Sequence, residues 1–122
     1  MEAKPVQMFY FDDRTFITLC RQLERELKDL HDWSADQAFD LRLAYEKFEL
    51  FLSVYLQSKG REEIDYKTGV RAEIASDVNF AIESQATSGI TEEFQREKFH
   101  DAKEKLHKVI EDVIYQIRLV TI

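Results

Sequence analysis

Residues 45–56, YEKFELFLSVYL, decide how this chain is read: eight of the twelve are apolar, more than one helical face accommodates. At 3.6 residues per turn, Ala38, Leu41, Ala44, Tyr45, Phe48, Phe51, Leu52, Tyr55 and Leu56 fall on one broad face of a helix spanning about residues 35–58. That face is wide enough to meet two neighbouring helices and belongs to the core. Phe39, Leu43, Leu50 and Val54 fall elsewhere and make a second, narrower stripe. Arg42, Glu46, Glu49 and Ser53 separate the two faces on one side, Asp40 and Lys47 on the other. A helix that is apolar on two sides is surrounded within its fold or meets another molecule. Four helices surround a helix poorly. The second stripe is therefore expected to lie under the N-terminal segment, under the 59–69 loop, or against another protein.

The rest of the chain repeats the helical period. Phe16, Cys20, Leu23, Leu27 and Leu30, with Leu19 beside them, predict a first helix over about residues 14–31, capped by Asp12 or Asp13. Ser34 followed by Gln37 fits a capping box before the second helix, with Trp33 just outside it, and Gly60 marks its end. Val70, Ile74, Val78, Ala81 and Ile82 predict a third helix over about 70–86. Thr91, with Glu92 and Glu93 in the first turn, opens a fourth that continues close to Ile122. Its stripe is Phe99, Ala102, Leu106, Val109, Val113, Ile117 and Val120. The fold expected is all-α: an up-and-down four-helix bundle, residues 1–122 as one domain, with residues 1–11 as an N-terminal extended arm. The longest loop, 59–69, either crosses the end of the bundle or moves. Leu23, Leu27, Phe48, Phe51, Leu52, Tyr55, Leu106, Val109 and Val113 are the expected centre of the core.

Composition agrees. Three glycines and one proline leave few turns to spend on a sheet. A net charge of −7 argues against nucleic acid and anionic lipid, and favours a basic protein partner. No stretch approaches about 18 uninterrupted apolar residues, so no membrane span is expected. The N-terminal MEAKPVQMFYFDD has no basic region followed by an apolar run, so no secretory leader is expected. The single Cys20 excludes an internal disulfide and fits a cytoplasmic setting.

Few constellations carry chemistry. Glu97–His100 and Glu104–His107 are two E-x-x-H pairs one heptad apart, and Glu93 and Glu111 extend the line. Glu and His three apart bring two ligands toward one ion, which makes these four residues the metal candidates. Bundle di-metal sites, however, draw such pairs from two helices, and the wheel turns this line toward solvent. Neither a metal nor another cofactor is therefore expected. Arg and His also recur a few residues apart at Arg25–His31 and Arg96–His100, and the first spacing resembles that of HEPN-type bundle ribonucleases. The polar residue usual beside that Arg is replaced by Glu26, and Arg25–His31 lies in the first helix rather than late in the fold. His100 with Lys103 is similar to the phosphoacceptor helix of histidine phosphotransfer domains, with Glu104 where that family has Gly. Cys20 sits on an inner face as a structural thiol. The expected function is an acidic, non-enzymatic interaction protein of the adaptor, regulator, immunity or anti-defence type. It would act through Phe39, Leu43, Leu50 and Val54, as a homo-oligomer or with a basic partner. The alternative is a bundle enzyme, HEPN-like or metal-dependent through the Glu/His line.

Overall fold

A computed structural model describes residues 12–59, 61–83 and 89–121, most of which are helical. Four helices follow in chain order: α1 (Asp13–Lys28), α2 (Ala35–Lys59), α3 (Thr68–Ile82) and α4 (Glu92–Thr121). Asp12 caps α1, its Oδ1 accepting from Thr15 N at 2.8 Å. This helix ends three residues before the expected His31. Asp29 N and Leu30 N bond back to Glu26 O and Leu27 O, both at 3.1 Å, in a tightened last turn. Ser34 Oγ accepts from Gln37 N at 3.1 Å, but the Gln37 side chain turns to Asp32 N instead of closing the box on Ser34. Thr91 Oγ1 accepts from Phe94 N at the start of α4. The third helix begins and ends earlier than its apolar pattern suggests. Lys67 precedes it in the left-handed region (φ 58°), held by Asp65 Oδ1 accepting from Lys67 N at 2.9 Å. Residues 84–86 of the expected third helix, and the expected N-terminal arm over 1–11, lie outside the described residues.

α1 packs on α2 and α4, α3 packs on the same two, and α2 touches α4 across the centre. Contacts along the helices set every neighbouring pair antiparallel. Tyr55 near the end of α2 reaches Asp13 at the start of α1, Arg71 at the start of α3 reaches Glu49, and Lys103 of α4 donates to Leu30 O at the foot of α1. The result is the expected up-and-down four-helix bundle. Its core holds Phe16, Leu23, Leu27, Phe48, Leu52, Tyr55, Ile74, Leu106, Val109 and Val113, all buried. Phe51, expected at the centre, packs at its edge half-buried. The stripe on α4 is wider than its spacing suggests, because Ile110 and Ile114 are buried as well. α4 packs against both α1 and α3 and touches α2, so two adjacent columns of its surface are covered.

The 61–67 loop crosses one end of the bundle. Ile64 plugs the core at 4% exposure, Arg61 meets Asp13 at 2.9 Å, and Gln116 brackets Asp65 with two hydrogen bonds. At the other end Gln95 of α4, buried at 2% exposure, donates its side-chain amide to the carbonyls of Ala81 and Glu83. It thereby occupies acceptors that the end of α3 leaves open. Trp33 Nε1 donates to the same Ala81 O at 2.9 Å and pins the α1–α2 connection to α3.

Candidate functional site

Two surfaces stand apart from the packed core. The first is the outer face of α2. Phe39, Leu43 and Leu50 are 54%, 47% and 60% exposed, and Val54 is half-buried. The 61–67 loop is committed to the end of the bundle and leaves this stripe open; the N-terminal arm, the other cover expected, lies outside the described residues. Phe39 edges a groove of about 480 Å³ that includes Trp33, Ala81 and Ile82. Leu43 edges another of about 280 Å³ that includes Leu30 and Ala44. The charges around the stripe are largely spent on each other. Arg42 Nε meets Glu46 at 3.1 Å and lies over the Phe39 ring, Lys47 meets Glu26 at 3.3 Å, and Arg71 meets Glu49 at 3.3 Å. Three carboxylates beside the stripe, Glu26, Glu46 and Glu49, are therefore neutralised within the chain.

The second surface is the seam between α1 and α4. Here the Glu/His line of α4 does not simply face solvent. His100, Lys103, Glu104 and His107 line a groove of about 530 Å³ against Glu24, Leu27 and Lys28 of α1. Glu24 is buried at 6% exposure, one of three buried polar or charged residues among those described. Arg21 Nη1 bridges Glu24 Oε1 and Glu111 Oε2, both at 2.7 Å. His107 Nε2 lies 3.6 Å from Glu24 Oε2. Burial, and then the neighbouring Glu111 carboxyl, push the Glu24 carboxyl above the usual carboxylate range. The neighbouring Glu24 carboxyl and the Arg21 guanidinium hold Glu111 below that range. Of the two carboxyls, Glu24 is the weaker acid.

The four metal candidates separate. His107 joins Glu24 and Glu111. Glu97 and Glu104 are exposed, and Glu104 meets Lys108 at 3.8 Å. His100 sits 3.7 Å from Asp32, which also accepts from Arg96. The Arg96 guanidinium, with Trp33 N, holds the Asp32 carboxyl below its usual range. The Glu24 contribution was missed by spacing, because it comes from another helix; its only sequence signal was a Glu within the apolar stripe of α1, beside Leu23 and Leu27.

Arg25 and His31 do not form a ribonuclease-like pair. Both are exposed, and His31 lies beyond the end of α1, so they share no helical face. Lys103, which stands three residues after His100, is engaged with Leu30 O. Cys20 is 0% exposed and burial pushes its thiol up to about 12, which leaves it without nucleophilic character near neutral pH. Tyr115 and Leu119, one turn apart on α4, are 64% and 56% exposed and were not singled out by pattern. No helix among the described residues is long and apolar enough to cross a membrane.

No family model matches the chain, and no curated protein or solved structure matches it.

Proposed function

We propose that this protein is a small acidic interaction module that associates through the outer face of α2. Self-association is the mode favoured. The observation that carries the reading is the exposure of Phe39, Leu43 and Leu50 on one stripe of a helix whose other face already packs into the core. Isolated exposed apolar residues are ordinary, but three large ones in register, flanked by two grooves, form a patch of the kind that protein contacts cover.

The paired rim bears on the partner. A surface that steers a basic protein keeps carboxylates free to do so. Here Glu46, Glu26 and Glu49 each have a cation at 3.1–3.3 Å. A charge-compensated rim lets a second copy of the same face approach without strong repulsion, which suits a two-fold contact. A cytoplasmic setting fits a chain whose one cysteine is a buried free thiol.

Light scattering behind gel filtration, on wild type and on Leu43→Glu/Leu50→Glu, tests the reading. Wild type is expected to gain mass with concentration and the double variant to stay monomeric. A folded monomer in both samples removes the interface.

A further inference from the structure

We propose that Glu24 of α1 with His107 and Glu111 of α4 binds one divalent cation of the zinc class. The site is separate from the α2 stripe and independent of it. Its donor set is one imidazole and two carboxylates, a mixture that suits zinc and its first-row neighbours. Calcium and magnesium prefer shells made of oxygen alone.

The geometry fits one ion. One donor atom from each of the three residues lies within 4.8 Å of the others. Two ligands bound to zinc at 2.0–2.1 Å in a tetrahedron stand about 3.4 Å apart. Glu24 Oε2 and His107 Nε2 are already at 3.6 Å. Glu111 is at the open edge of the seam, its side chain 46% exposed, and its carboxylate supplies the third donor atom within that distance. His107 and Glu111 are four apart on α4, so their side chains stack on one face. Buried Ile110 and Ile114 anchor that stretch, and buried Leu23 and Leu27 anchor Glu24 on the facing helix. Ligands carried on packed helices hold their spacing better than ligands on loops.

Glu24 supplies the independent evidence that something is to be bound. The residue is 94% buried by accessible surface, yet its Oε2 has no hydrogen-bond partner among the described residues. Buried carboxylate oxygens are normally satisfied. This one faces His107, whose Nε2 is a metal-binding nitrogen when the ring is neutral. Arg21 does not fill that role, because it engages the other oxygen, Oε1, and Glu111 Oε2. It acts as a positioning residue: it clamps one oxygen of each carboxylate and leaves a second oxygen on each for the ion. Ligating carboxylates are commonly held in this way by an outer partner. Three protein ligands leave a fourth position for water, and the groove lined by His100, Lys103 and Glu104 gives it access.

Cobalt(II) is the probe, since its visible bands report coordination number and its affinity order is close to that of zinc. Tag-free protein is stripped with chelator and titrated with Co²⁺, and then Zn²⁺ is added in competition. The expected result is one Co²⁺ per chain, with intense visible absorption of low coordination number that Zn²⁺ abolishes. His107→Ala, Glu24→Gln and Glu111→Gln should each weaken binding by at least roughly tenfold, the scale on which even outer-shell changes act. His31→Ala, an exposed histidine outside the triad and its groove, should leave it unchanged. Glu111→Gln alters a half-exposed side chain and keeps the fold, so it reads the site even where Glu24→Gln disturbs packing. Absence of Co²⁺ uptake by wild type overturns the proposal, and so does equal affinity in Glu111→Gln and His107→Ala.

Discussion

Replacing Leu43 and Leu50 by glutamate should separate association from folding, and the structure sets the size of the effect. Full burial of a large apolar side chain contributes about 1.5–3 kcal/mol. Phe39, Leu43 and Leu50 have 54%, 47% and 60% of their surface still to bury. Scaled by exposure, they offer about 2.5–5 kcal/mol per chain, and about 5–10 kcal/mol when two copies meet on a two-fold axis. Loss of rigid-body freedom opposes this by about 4–15 kcal/mol. The stripe alone therefore supports a dissociation constant of roughly tens of micromolar or weaker. Tighter association needs the grooves beside Phe39 and Leu43 to be filled as well. The double substitution removes about 3–6 kcal/mol from a dimer, a weakening of roughly 10²- to 10⁴-fold, and adds like charges across the axis. Folding stability should stay within about 0.5 kcal/mol, since both side chains are exposed already. Sedimentation velocity from about 10 μM to about 1 mM brackets that range. The wild-type sedimentation coefficient should rise with concentration and that of the variant should not. The reasoning is refuted if both remain flat, or if both rise alike.

Three further outcomes follow from the core and its edge. Cys20, with a folded thiol pushed to about 12 against 9.0 for a free one, stabilises the fold below pH about 9; that contribution falls as pH rises to about 12, by up to about 4 kcal/mol. Urea melts at pH about 8 and about 11 should show a smaller loss in Cys20→Ala than in wild type, and native protein should resist thiol reagents at neutral pH. Tyr55→Phe keeps the ring stacked 4.5 Å from Phe16 but deletes the 2.7 Å hydrogen bond to Asp13, and should cost about 1.5–3 kcal/mol in the same melts. Lys105→Met should be more damaging than Asp77→Asn. Asp77 is 6% exposed and would keep, among the described residues, only Lys98 at 3.8 Å, a loss of about 1–3 kcal/mol, whereas a lysine freed of Asp77 keeps Glu73 at 3.4 Å and reaches water.

The sequence by itself determined the four helices, their order and most of their inward faces. Phe16, Cys20, Leu23 and Leu27 recur at the helical period and are buried; Leu106, Val109 and Val113 do the same. Periodicity is a local property, since which side of a helix a residue occupies depends only on counting along the chain. It also separated the second stripe of α2 from the first, and the structure leaves three of its four residues exposed. Tertiary structure decided what counting along one helix cannot reach. The width of the α4 core face depended on how many helices pack against it, so Ile110 and Ile114 went inward unannounced. The 61–67 loop was committed to the bundle end by Ile64 and by Arg61 meeting Asp13, which are contacts distant in sequence. Most of all, the seam that joins Glu24 to His107 and Glu111 exists because α1 and α4 run antiparallel at one register. Residues more than eighty positions apart meet there, and no spacing along a single helix encodes their meeting.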